Sequence, residues 1–237
     1  MRMLTHWLDS RLYPTFKSNW DDDLFREEIL SVLRPEHWLL DLGAGAGIVP
    51  QMNFRGRVAR ACGVDPDNRV TVNSFLDEGR VGTGEAIPYG DATFDLVIAD
   101  NVVEHLDRPA EVFSEVGRVL KPRGVFLFKT PNKRHYVSTI ARLTPHRFHR
   151  AYNRMRGRKA EDTFPTRYRA NTRADVARAA ANAGLIVDST HFVEGRPEYL
   201  RSFLLGYLAG WAYERTVNAT SLLEPLRVVL MARLRKG

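Results

Sequence analysis

The chain has a single cysteine, Cys62, among its 237 residues. One thiol excludes an internal disulfide and any CxxC metal framework, and it suits a reducing cytoplasm. Long apolar runs are also missing. The longest, Phe203 to Tyr213, falls well short of the roughly 20 residues needed to cross a bilayer. Inside it, Gly206 and Gly210 stand at GxxxG spacing. In so short a segment this spacing predicts close helix packing, in the core or at a homodimer interface. The start, MRMLTHWLDSRLYPTF, has neither an apolar h-region nor a small-residue cleavage site, so no secretory leader is expected. There are no internal repeats and no low-complexity tracts. These absences predict a cytoplasmic protein without a membrane span, either monomer or homodimer.

What is present fits one globular domain, since 44% of residues are apolar and 27% charged, and single α/β domains often exceed 200 residues. The charge is uneven. Between Lys133 and Arg173 there are 12 Lys or Arg against two acids, Glu161 and Asp162, a local net of +10 in a chain of net +7. The basic character therefore belongs to one segment.

Periodicity supplies the outline. DDDLFREEILSVL (21–33) reads as a helix capped by Asp21, with Leu24, Phe25, Ile29, Val32 and Leu33 as its apolar face. HWLLDLG, RACGVD and FDLVIAD read as short buried strands, each with turn residues behind it. RPAEVFSEVGRVL is a helix with Pro109 in its first turn, and KPRG turns into the strand VFLFKT. TRADVARAAANAGL is a helix capped by Thr172 and stopped by Gly184. IVDSTHFV is a strand, 197–218 is helical, and LRVVLMARL is a final strand. A regular βαβ pattern asks for a helix in NRVTVNSFLDEGRV, but the pattern there is weak. Alternating strands and helices predict a parallel sheet with helices on both faces, the last two strands pairing antiparallel at one edge. The chain divides into an N-terminal helical cap (1–35), a core (36–132), a basic insertion (133–171) and a C-terminal helix and β-hairpin with a helical excursion (172–237).

Ligands of open parallel sheets bind beyond the carboxyl ends of the strands. Four such ends carry polar residues: Asp41-Leu42-Gly43, Asp65, Asp100-Asn101 and Thr130-Pro131-Asn132. The first runs into Gly43, Ala44, Gly45 and Gly47. Glycine turns the chain sharply and brings backbone close to a ligand. A dinucleotide fingerprint reads GxGxxG and places a pyrophosphate at a helix N-terminus. This loop reads GxGxG, with an aspartate two residues ahead. That carboxylate repels a diphosphate and attracts an ammonium or other cation. Asp65, at the next strand end, is placed to accept both hydroxyls of a ribose.

LLDLGAGAG, GVDPD, GEAIPYGDATFDLVIADNVVEHL and RVLKPRGVFLFKTPN, in this order, resemble the motifs of class I S-adenosylmethionine-dependent methyltransferases, in particular small bacterial enzymes related to the ubiquinone pathway and to polysaccharide clusters. The resemblance covers about 36–132 and the final hairpin pattern. It implies a doubly wound, seven-stranded, mostly parallel Rossmann-like α/β sheet with an antiparallel C-terminal edge strand. It implies S-adenosylmethionine as cofactor. Gly43, Ala44 and Gly45 would lie along its methionine moiety, and Asp41 would support the loop and the ammonium. Asp65 would hold the ribose, Gly84 and Glu85 would border the adenine, and Asp100 and Asn101 would lie beneath the sulfonium. Where such enzymes often carry an acid for the adenine amine, this chain has Thr83.

A hydroxyl acceptor needs a base, for which histidine is the natural side chain. The candidates are His105, in VVEHL, and His146 and His149, in the basic insertion; each also has an ordinary reading as a structural or surface histidine. The insertion mixes arginines with Tyr136, Phe148, Tyr152 and Tyr168. That mixture suits RNA, an anionic small molecule or an anionic lipid surface, or simply a solvated face. Similar segments in methyltransferases linked to polysaccharide or glycolipid assembly tilt the expectation toward O-methylation of a sugar or short glycan. A quinone-like or lipid acceptor and an RNA substrate are the alternatives. No metal-ligand spacing decides whether a divalent ion takes part.

Overall fold

The computed structural model describes residues 2–14, 19–143, 166–198, 200 and 204–237. Its elements in chain order are α1 (Arg2–Leu12), α2 (Trp20–Val32), β1 (Trp38–Leu42), β2 (Arg60–Asp65), β3 (Glu78–Val81), β4 (Phe94–Asp100), α3 (Pro109–Val119), β5 (Leu120–Pro131), α4 (Tyr136–Leu143), α5 (Arg173–Asn182), β6 (Leu185–Val193), α6 (Leu204–Asn218) and β7 (Val229–Lys236). The seven strands form one sheet in the order β3-β2-β1-β4-β5-β7-β6. β1 pairs in parallel with β2 and β4, β2 with β3, and β4 with β5. Antiparallel strands complete the β6/β7 end, so the sheet is the mixed, mostly parallel one expected. The last strand lies one place in from the edge, between β5 and β6.

The chain divides into two compact units. The larger comprises Asp22–Pro131, Phe164–Thr190 and Met231–Gly237, and the smaller Met1–Asp21, Asn132–Thr163 and His191–Leu230. The core of the larger unit follows from composition. β1, β2 and β4 are nearly continuous apolar runs and are buried along almost their whole length, as central parallel strands are. α3 buries Val112, Phe113, Val116 and Val119 on one face. The Phe113 ring meets those of Phe126 and Phe128 nearly edge-on, at 5.5 and 5.8 Å. α5 starts where Thr172 caps it, accepting from the Asp175 N–H, and ends before Gly184 at φ +67°. Of the apolar face expected on α2, Phe25 and Ile29 are fully buried, whereas Leu24 is exposed.

One element differs from a regular βαβ pattern. After β2 the chain makes a short 3-10 turn, Asn68–Val72, capped by the Asp67 side chain, and then enters the edge strand β3. Val70, Thr71 and Val72 are β-branched and lose side-chain freedom in a helix. Asn73 then accepts from the Phe75 N–H, which bends the chain locally. Among the described residues, the helix expected over 197–218 spans Leu204–Asn218.

The smaller unit is held by buried polar pairs. Tyr207 donates to Asp9 at 2.9 Å and Tyr13 to Glu214 at 2.9 Å. His135 lies buried with Nε2 3.3 Å from Glu194, beside the rings of Tyr136 and Tyr213. Gly210 accounts for half of the GxxxG spacing: a Cβ there would stand 2.5 Å from Pro197. Among the described residues no helix is long and apolar enough to cross a membrane.

Candidate functional site

The glycine loop leaves β1 through three left-handed turns, Gly43 (φ +81°), Gly45 (φ +48°) and Gly47 (φ +70°). Any side chain would be strained there. Space forbids one as well, because a Cβ on Gly43 would stand 2.3 Å from Val102 and one on Gly47 2.2 Å from the Asn73 side chain. The loop is stitched to its surroundings by backbone. Gly43 and Ala44 donate to the Val64 carbonyl at 2.8 and 3.3 Å, and the Gly45 N–H donates to Asp65 at 3.0 Å. The second Asp65 oxygen accepts from the Asp67 N–H at 2.8 Å. Asn73 donates back to the carbonyls of Ala44 and Gly45 at 3.1 and 3.2 Å. The loop is therefore rigid, half-exposed, and edged by a carboxylate of fixed orientation.

Asp41 is the penultimate residue of β1, and Asp65 and Asp100 close β2 and β4; the three strands are neighbours in the sheet, so the carboxylates share one edge. Asp41 is buried. Desolvation, with Asp100 and Asp65 adding repulsion, pushes its carboxyl up to about 8. Asn101, at φ +54°, donates to Asp100 at 2.9 Å and turns the chain after β4. Gly84 and Glu85 occupy a tight turn in which Ala86 N–H donates to the Thr83 carbonyl, and Thr83 bridges Ala86. The position without an acid is thus the start of this turn.

Sequence reasoning missed four residues here. Lys129 stands opposite Asp100 in the β4/β5 register, is fully buried, and pairs with Asp100 at 3.1 Å and with Asp22. A lysine inside the run VFLFKT was the available signal, since a buried ammonium needs a carboxylate. Glu104 is buried, accepts from the Thr130 hydroxyl at 2.9 Å, and is pushed by desolvation up to about 7. Asn171 donates to Thr130 at 2.6 Å and to the Pro131 carbonyl at 2.9 Å, and its own carbonyl oxygen is buried with no hydrogen-bond partner among the described residues. Asn73 was hidden in the stretch without clear periodicity. No local pattern marks Glu104 or Asn171, because what brings them together is the pairing of β4 with β5 and the return of the chain at 166–171.

Of the candidate bases, His105 ends a 3-10 turn, Val103–His105, with Nε2 3.8 Å from a Glu104 oxygen and its side chain partly exposed. The Arg167 and Tyr168 N–H groups donate to the Glu104 carbonyl, and Arg167 pairs with Asp107 at 3.0 Å. The end of the basic insertion is therefore pinned to the turn that carries His105. His146 and His149 lie outside the described residues, as does most of that insertion. Among the described residues no cluster of three or more His, Cys, Asp or Glu could hold a metal ion.

The methyltransferase-domain family profile matches residues 40–128. The uncharacterized methyltransferase YcgJ of Bacillus subtilis is 35% identical over 103 residues, which is 40% of this chain and 40% of the relative. The sequence match thus spans less than half the length of that relative. The crystal structure of YcgJ matches more widely, with a TM-score of 0.55 over 90% of this chain and 98% of YcgJ, at 18% identity. The geranyl diphosphate C-methyltransferase of Streptomyces coelicolor, solved with S-adenosyl-L-homocysteine, has a TM-score of 0.56 over 92% of this chain and 78% of that one, at 17% identity. At such identities the structures establish the fold alone. The domain match over residues 40–128 and the shared fold support a class I S-adenosylmethionine-dependent methyltransferase.

Proposed function

We propose that the chain binds S-adenosylmethionine on the edge formed by β1, β2 and β4 and methylates a hydroxyl of a small polar acceptor such as a sugar or short glycan. The observation that carries the cofactor assignment is the set of three carboxylates around a loop where Gly43 and Gly47 leave no room for a Cβ. Such an edge rejects a pyrophosphate and suits a nucleoside that carries an ammonium and a sulfonium. Asp65, oriented by two backbone N–H groups, holds the ribose hydroxyls. Gly43, Ala44, Gly45 and Gly47 give the methionine moiety a backbone surface. Asp100 supplies the negative field, with Asn101 beside it; Asp41, held up to about 8 by burial, takes its charge when a cation lies beside it, and Gly84 and Glu85 border the base. The cofactor contributes an electrophilic methyl carbon; the protein positions it and removes the acceptor proton. His105 takes that proton, with Glu104 behind it as a positioning group; His146 and His149 are the alternatives for the same role.

Transfer of radiolabelled methyl from S-adenosylmethionine into fractionated extract, with and without chelator, tests both halves. The expected product is a polar, base-stable glycan or sugar ether formed by the wild type. His105→Asn should form it about 10²–10⁴-fold more slowly. Label in isoprenoid or RNA fractions overturns the polar acceptor, unchanged turnover by His105→Asn overturns its role as base, and loss with chelator shows that a divalent ion takes part.

A further inference from the structure

A cavity lies at the end of the sheet opposite the glycine loop, where β1 and β4 begin and α2 ends. Its volume is about 550 Å³, and its lining includes Arg34, His37, Asp95, Arg123 and Arg233. All of them belong to the larger unit. Three guanidinium groups therefore face one carboxylate, and that carboxylate is already engaged: Asp95 accepts from Lys121 at 2.7 Å and from the Trp38 N–H at 2.9 Å. The arginines are weakly paired. Arg233 reaches Asp188 only at 3.9 Å, and Arg235 competes for the same acid at 3.5 Å. Arg34 and Arg123 make no ion pair among the described residues. Two buried polar atoms of the lining, His37 Nδ1 and Arg233 Nε, have no hydrogen-bond partner there.

Arg123 adds an independent sign. It occupies φ +65° in the turn before Gly124, a conformation that favours glycine. A non-glycine residue held there is strained, and the strain directs attention to its side chain. Guanidinium forks match tetrahedral oxyanions in geometry as well as charge. The volume exceeds that of a bare ion and falls in the range of small-molecule sites. Val32, Leu33, Pro122 and Val125 in the lining offer surface to an organic portion.

We propose that this cavity is a binding site for a phosphomonoester, with Arg34, Arg123, Arg233 and His37 around the phosphate, separate from the site at the strand carboxyl ends. Isothermal titration of the full chain tests it with three probes: glycerol 3-phosphate, inorganic phosphate and glycerol. Glycerol 3-phosphate should bind saturably at one equivalent, more tightly than inorganic phosphate, and glycerol should not bind. Arg123→Gly should weaken the phosphomonoester by about tenfold or more. It should melt no lower than the wild type, since glycine suits the left-handed turn. Arg34→Gln should weaken binding in the same direction, and Asp65→Ala should leave it unchanged.

The proposal is overturned if glycerol 3-phosphate gives no saturable binding, or if inorganic phosphate binds as tightly. It is also overturned if both arginine variants bind within about twofold of wild type, or if Asp65→Ala abolishes binding. Tight, salt-dependent binding of an RNA oligonucleotide that excludes glycerol 3-phosphate would assign the cavity to nucleic acid instead.

Discussion

Lys129 shows how much a single side chain can carry. Its ammonium is fully buried and lies between Asp100, which closes β4, and Asp22, at the start of α2. It both pays for burying Asp100 and fixes where that carboxylate points. Removing one member of a buried ionic set leaves its partners charged and unsolvated, at a cost of about 3–5 kcal/mol. Lys129→Met should therefore lower unfolding free energy by about that amount in urea titration. A loss near that of an exposed substitution, about 0.5 kcal/mol, would show that the pair is hydrated. The glycines make the complementary point. Gly43 is required twice over, by its φ of +81° and by Val102 at 2.3 Å from any Cβ. Both requirements exist only in the folded loop, whereas the alternation of glycine is visible in the sequence.

At the scale of elements, three parallel strands carry an acid at or one residue before their carboxyl ends, and the sheet gathers them on one edge. Burial and mutual repulsion raise Asp41 to about 8, and burial raises Glu104 to about 7. The unfolded chain ionises these groups at ordinary carboxyl values, so between those values and the raised ones the folded state holds more protons. Stability supplied by the neutral groups is therefore full below about pH 4, falls as pH rises through about 4 to 8, and levels off above. Urea unfolding across this window should show that decline, and Asp41→Asn should flatten it. A rise in stability over the same window would contradict the burial of both groups. β1, β2 and β4 were legible because central strands are continuous apolar runs. β3 was not, since an edge strand of four residues, Glu78–Val81, has too little pattern to stand apart from the loop before it. The helix looked for between β2 and β3 is absent because β-branched residues and Asn73 favour a 3-10 turn that binds the glycine loop.

For the whole molecule, the assigned cofactor residues, Asp41 to Asn101, all fall in the larger of the two compact units. Ligand binding to the folded state adds about 2.7 kcal/mol at a hundredfold excess over Kd. For a chain of this size that corresponds to roughly 5–10 °C. S-adenosylhomocysteine should thus raise the melting transition of the larger unit by several degrees, and NAD should leave it in place. A shift with NAD and none with S-adenosylhomocysteine would return the loop to dinucleotide binding.

The sequence alone determined the α/β class, the resemblance to methyltransferases and the glycine loop with its flanking acids, because these are written in short runs whose spacing survives without the fold. Strand alternation reads as a parallel sheet, and GxGxG after an aspartate departs from the GxGxxG of a dinucleotide loop. Only the tertiary structure decided the rest. It set the place of β7 inside the sheet, the pairing of Lys129 with Asp100, the Glu104–Thr130–Asn171 network and the arginine-lined cavity at the far end. Each joins residues far apart in the chain. Burial and electrostatic pairing act through distance in space, and no local spacing records which distant charge will stand within 3 or 4 Å of another.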